Sequence, residues 1–260
     1  MLSDLLLLSG NDIPFPEARV SIHQPTLKEI AFLGEEQFFL GCGFLDFSKD
    51  LLKNSDKVNL AQWDDFDIFM SIMIDNNIQT KKSTEAAMNV LMLIFPLYDV
   101  SVRTNAIVLK QGNEEFLINK NNFGAFKNIL SAMFNLKFEN DKQEEYNPQG
   151  DLAKRIAEKF KKRHETLANL QKDSALMEKE EEKRVSILSR YISILAVGLQ
   201  KDLNDLMQYT VYQLYDEFQR FQLKIQWDAY LQARMAGAKD LEEVDNWMID
   251  LRDQKNKNKK

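Results

Sequence analysis

The sequence predicts an α+β, helix-rich fold: a small N-terminal α+β domain with short antiparallel strands, followed by an all-α C-terminal helical domain. Three observations carry this. Residues 4–23 and 100–118 set short apolar runs between turn-forming residues, as hairpins do. The stretches between them repeat apolar side chains at helical spacing. From Ser186 onward only the helical period remains. The expected organisation is an α+β domain over 1–138, a polar linker over 139–150, a helical domain over 151–252 and a disordered basic tail over 253–260.

The run Leu5-Leu6-Leu7-Leu8 follows Asp4 and is too short for a signal sequence, so it reads as a buried strand. Ser9-Gly10-Asn11-Asp12 then turns the chain, and Ile13, Phe15, Val20 and Ile22 complete a small hairpin or meander with Pro14 and Pro16 at its edge. Pro25 excludes helix for Gln24, and Thr26 with Glu29 forms a T-x-x-E capping box that starts a helix at Leu27. His23, with Glu29 six residues on, could be a metal or proton-transfer pair. The bland alternative is that Glu29 caps backbone and His23 is structural, and the capping box favours it.

Gly34 interrupts that helix, and Glu35 to Leu40 opens another with its acids at the favourable N-terminal end. Gly41-Cys42-Gly43 should loosen the chain after it, and Cys42, with no base spaced near it, reads as a buried thiol rather than a nucleophile. Asp64-Asp65-Phe66-Asp67 begins a helix whose Phe66, Phe69, Met70 and Met73 share a face. Those aspartates lack the alternation, central glycine and closing glutamate of a calcium loop and suit a helix N-terminus instead. Ser83 to Phe95 is a further helix, halted by Pro96. Val100, Val102, Ile107 to Leu109 and Phe116 to Ile118 read as two or three strands, after which Asn121-Asn122 caps a helix bearing Phe123, Phe126, Leu130 and Met133.

Past the linker, a charged helix over 151–184 carries a narrow stripe of Leu152, Ile156, Phe160, Leu167 and Leu170, as partner-packing helices do. Its six basic residues from Lys154 to Arg163 are interrupted by Glu158, lack stacking aromatics and are followed by Glu178 to Glu182, which describes a solvated face more than a nucleic-acid patch. Ile187, Leu188, Tyr191, Ile192, Leu195 and Leu199 form the apolar face of the next helix, with Gly198 expected near its left-handed cap. Asp202 caps a short helix. Thr210 and Gln213 make a second capping box that opens a helix running to Gly237, about 40 Å long. Asp240 and Glu243 cap a last helix with Val244, Trp247 and Met248.

Composition narrows function. With 44% hydrophobic and 28% charged residues the 260-residue chain is expected to fold and stay in solution, and no apolar window approaches the ~20 residues of a membrane span. A formal charge of −6 argues against nucleic acid as the main partner, and the single cysteine demands no oxidising compartment. No nucleotide-binding glycine loop, metal-binding His-Glu-x-x-His, nucleophile elbow or Cys-x-x-Cys is present, so the expectation is no enzyme, no cofactor, no metal and no small-molecule substrate. The enzyme that would survive is a carboxylate-based hydrolase without an identifiable residue pair. Aromatic residues instead crowd the C-terminal half. Tyr212, Tyr215, Phe218, Phe221, Trp227 and Tyr230 occupy more than one side of the helix from Thr210, and with Trp247 they form the candidate protein-binding set. Burial between the chain's own helices is the competing reading.

The segments Ser21–Phe39 (SIHQPTLKEIAFLGEEQFF), Ser186–Leu199 (SILSRYISILAVGL) and Thr210–Asp240 (TVYQLYDEFQRFQLKIQWDAYLQARMAGAKD) resemble structural-cassette proteins of tailed bacteriophages, nearest the tail assembly chaperones. The shared pattern is a strand, then P-T-x-K/R-E, then helices, with a helical C-terminal half that ends like A-G-A-K-D. The resemblance covers about half the chain. It implies a non-enzymatic morphogenesis protein that binds tape measure or tail proteins in the host cytoplasm, and in some members has a longer frameshifted form; the expected partners are phage structural proteins, further copies of the chain as a homo-oligomer, or both. The A-rich codons implied by Lys255 to Lys260 are compatible with such slippage, and equally with a plain basic tail. Greater length and the charged helix over 151–184 depart from that class. They keep open a permanent virion component: a connector, baseplate or capsid-associated protein.

Overall fold

A computed structural model describes residues 2–46, 64–74, 78–134, 186–238, 244 and 246–249. The linker over 139–150, the charged helix with its apolar stripe and basic set, the caps Asp240 and Glu243, and the tail all lie outside the described residues. What is described is α+β and helix-rich, with two small antiparallel sheets in the N-terminal half and helices toward the C-terminus.

The first departure is at the leucine run. It forms helix α1 (Asp4–Ser9), not a strand, closed by Gly10 in the left-handed conformation at φ 70°. The run shows why: Leu7 is buried and Leu5 is 77% exposed, so the fold uses one helical stripe of it rather than both faces of a strand. Strands β1 (Ile13–Phe15) and β2 (Val20–Ile22) then pair as the expected hairpin, burying Ile13, Phe15, Val20 and Ile22 and leaving Pro14 outside. Helix α2 (Leu27–Leu33) starts on the capping box of Thr26 and Glu29.

Helix α3 (Glu35–Leu45) follows Gly34 and continues through Gly41-Cys42-Gly43 to Leu45, so the loosening expected after these glycines does not begin at once. Packing explains this. A Cβ on Gly41 would lie 2.4 Å from the Ala86 carbonyl oxygen of α5 (Ile78–Ile94), so the glycine lets the two helices touch backbone to backbone. Cys42 is buried, and burial with nearby Asp46 pushes its thiol up. Helix α4 (Asp65–Ile74) buries Phe66, Phe69 and Met70. Its entry is a reciprocal cap: the Asp67 N–H donates to Asp64 Oδ1 at 2.8 Å, and the Asp64 N–H to Asp67 Oδ2 at 3.3 Å.

Strands β3 (Asp99–Arg103), β4 (Ala106–Gln111) and β5 (Glu114–Ile118) form a three-stranded meander in that order. Helix α6 (Phe123–Phe134) follows. Asn122, expected to cap it, is buried and works backwards: its Oδ1 accepts from the Asn119 N–H, and its amide donates to Leu117 O at 3.0 Å and Glu17 O at 3.4 Å. It joins the first hairpin to the second sheet.

Helices α7 (Ile187–Leu199), α8 (Leu203–Leu206) and α9 (Val211–Met235) complete the described helices. Met1–Leu136 and Ser186–Lys260 form one compact unit, and one apolar cluster runs from Ile13, Phe38 and Phe126 to Leu195, Leu214 and Phe218. The end of α7 is capped by Gln200 at φ 54°, not by Gly198. Gly198 is instead the point where the Phe221 ring of α9 crosses, with ring Cζ 2.1 Å from where a Cβ would sit. Among the described residues no helix is long and apolar enough to cross a membrane.

Candidate functional site

Two features could carry function: the polar cluster about His23 and the surface of α9. The cluster begins with the hairpin, which delivers His23 after β2, its backbone N–H donating to Ile94 O at 2.9 Å. The ring then lies between two carboxylates, Nδ1 at 3.0 Å from Asp12 Oδ1 and Nε2 at 3.3 Å from Glu29 Oε1. Glu29 is committed elsewhere as well. Its Oε2 accepts from the Thr26 N–H at 2.7 Å and the Thr26 hydroxyl at 2.8 Å. Burial works against ionisation of Glu29, but the hydrogen bonds from Thr26 and His23 outweigh it and hold the carboxyl below the usual range. The cluster thus locks the entry to α2. Among the described residues no group of three or more His, Cys, Asp or Glu side chains is placed to hold a metal ion.

That entry is also where the C-terminal helices attach. Thr26 bridges Thr210, so the two capping boxes lie side by side. The first N–H groups of α2, which have no partner within the helix, donate to this neighbour: Leu27 N to Tyr209 O at 2.8 Å and Lys28 N to Met207 O at 2.9 Å. Gln213 completes its own box through Oε1 on the Thr210 N–H, and its Nε2 donates to Leu8 O at 2.7 Å. Glu35 does the same for α7, accepting from the Ile187 N–H at 2.9 Å and the Leu188 N–H at 3.2 Å. Nothing in the sequence could pair Glu35 with residues so distant. The one visible signal was an acid at a helix start, and it pointed to α3.

Helix α9 therefore emerges from a fixed base, and its aromatics divide by depth. Tyr215 and Phe218 belong to the core, 7% and 8% exposed, with the Tyr191 ring stacked on Phe218 at 4.0 Å and edge-on to Tyr215 at 5.5 Å. Burial, with Tyr191 and Glu35 close by, pushes the Tyr215 phenol up. Tyr212 and Phe221 are half-buried against the same cluster. These four thus pack within the chain. Lys201 reinforces this half through Glu217 and through Tyr209 Oη at 2.6 Å.

Beyond the buried Leu223 the helix changes character. Ile225 is 51% exposed, Leu231 37% and Met235 87%, and the half-buried rings of Trp227 and Tyr230 lie 5.7 Å apart at 30°. Lys224 with Asp228, 2.8 Å apart, is an ordinary surface pair of the same stretch. Trp247, also half-buried, sits in a turn over residues 247–249 where a helix was expected. Of the seven candidate rings, four pack α9 against the core, and Trp227, Tyr230 and Trp247 are partly accessible.

A chain of this layout is an α+β body that presents the outer half of one long helix. Residues 179–251, a span that includes α7, α8 and all of α9, match the family described as YomV second domain. No curated protein and no solved structure matches the chain.

Proposed function

We propose that this chain is a non-enzymatic, phage-derived morphogenesis protein that works by protein contacts, resembling the tail assembly chaperones and holding a tape measure or tail protein in the host cytoplasm before assembly. The observation that carries the reading is the division of α9, whose first half is built into the core while its outer half keeps Ile225, Leu231 and Met235 in solvent beside Trp227 and Tyr230. Aromatic anchors flanked by aliphatic side chains are what helix-mediated recognition uses. The match of residues 179–251 to the YomV second domain supports a phage-derived family.

The reading expects a very long helical reading frame immediately downstream in the genome, and the test is co-expression of this chain with its product, followed by affinity capture. Trp227→Ala with Tyr230→Ala should abolish capture and leave the melting temperature within about 2 °C of wild type, because neither ring belongs to the core. Capture that survives the double change overturns this use of α9. Mass spectrometry of finished particles decides the role: a chaperone is absent, and a stoichiometric presence identifies a permanent virion component.

A further inference from the structure

Apart from α9, the outer edge of β3 stands out for a sequence that is complementary to itself. Among the described residues β3 ends one side of the three-stranded sheet, and it reads Asp99-Val100-Ser101-Val102-Arg103. Only Thr104 and Asn105 separate Arg103 from its β4 partner Ala106, so those two can face each other only as a hydrogen-bonded pair. By alternation Asp99, Ser101 and Arg103 direct their backbone groups at β4, and Val100 and Val102 direct theirs outward. The side chains alternate too. Asp99, Ser101 and Arg103 are exposed on the solvent face, and Val100 and Val102 are half-buried on the core face. Such an edge invites another strand unless proline, lysine, a bulge or a covering element blocks it; β3 has no proline or lysine, and among the described residues no further strand pairs with it.

We propose that β3 pairs antiparallel with β3 of a second copy of this chain about a two-fold axis at Ser101. The strand is complementary to itself in that register: Asp99 of each copy faces Arg103 of the other, and Val100 faces Val102. The outward backbone groups of Val100 and Val102 then meet one another, giving four inter-chain hydrogen bonds and one continuous six-stranded sheet. Arg103 is already held on the solvent face by Glu115, through its two terminal nitrogens at 2.9 and 2.7 Å. Beside the edge, Met73, Met88 and Val102 line an open groove of about 290 Å³ with Thr84, Glu85 and Asn89, an apolar floor for the valines of the second copy. The other edge, β5, begins Glu114-Glu115 and offers no cation of its own to face those acids in a self-pair. A strand this short makes an interface below the roughly 1,000 Å² of stable complexes, so the dimer is a weak one.

Sedimentation equilibrium of the full chain at about 0.1 mM should therefore show a dimer. Asp99→Lys alone and Arg103→Asp alone each place like charges opposite one another twice and should weaken self-association about tenfold or more. Mixed one to one, the two variants restore both opposite-charge pairs, and the mixture should dimerise as wild type does. Ser101→Arg, a change at an exposed position on the axis, is a second disruptor that leaves Glu115 its partner. A monomeric wild-type chain, or variants that all self-associate like wild type, would overturn the pairing. So would a wild-type monomer that captures an extended strand of another protein.

Discussion

At the scale of single residues, small groups decide how close elements approach. Gly41 is a case in which two effects oppose each other. Alanine is the better helix former by about 1 kcal/mol, but its methyl would enter the Ala86 carbonyl, which is backbone and cannot swing away. Crowding wins, so Gly41→Ala should destabilise by about 1–3 kcal/mol, read as a lower urea midpoint. An unchanged or raised midpoint would show that α3 and α5 do not touch there. Glu29 makes a pH prediction. Its carboxyl titrates below its ordinary value of 4.5 in the folded chain, so it contributes stability above that value and loses it as pH falls through the folded one. The melting-temperature gap between wild type and Glu29→Ala should be widest near neutral pH and narrow below about 4.5. A gap constant with pH would mean the carboxylate is not what caps α2.

At the scale of elements, the helices were the most legible part of the sequence. Both capping boxes stand where Thr26 with Glu29 and Thr210 with Gln213 placed them, because a cap is a contact three residues long. Thr210→Ala should cost about 1 kcal/mol, measured by chemical denaturation, and more than an exposed Thr104→Ala in the β3–β4 turn. The strands of the meander were readable too, with their number left at two or three until the Thr104-Asn105 turn was seen. The leucine run was not. Four leucines satisfy a strand or a helix alike, and the choice was made by what α1 lies on: its carbonyl at Leu8 receives Gln213 of α9.

At the scale of the whole described molecule, distant segments complete one another's ends. Met207 and Tyr209 accept the free N–H groups at the start of α2, Glu35 accepts those of α7, and Asn122 ties the first hairpin to the meander. Glu35→Ala removes the acceptor for α7 without emptying any core space. Amide exchange at Ile187 and Leu188 should then rise at least about tenfold, with the sheet amides unchanged. Equal exchange in the two proteins would place the anchor of α7 elsewhere. The candidate site follows the same logic. The aromatic content of α9 was plain in the sequence, but sorting Tyr215 and Phe218 into the core and Trp227 and Tyr230 toward solvent required knowing where α7 crosses.

The sequence by itself determined the helix-rich α+β class, the hairpins, the two helix starts with capping boxes and the aromatic wealth of the long helix, because each depends on spacings of a few residues. Tertiary structure alone decided that α1 is a helix, that Gly41 and Gly198 are the points where neighbouring elements cross, and which rings of α9 the chain keeps for itself. Those outcomes depend on side chains far apart along the chain, such as Gly198 and Phe221 or Glu35 and Ile187, whose meeting no local period encodes.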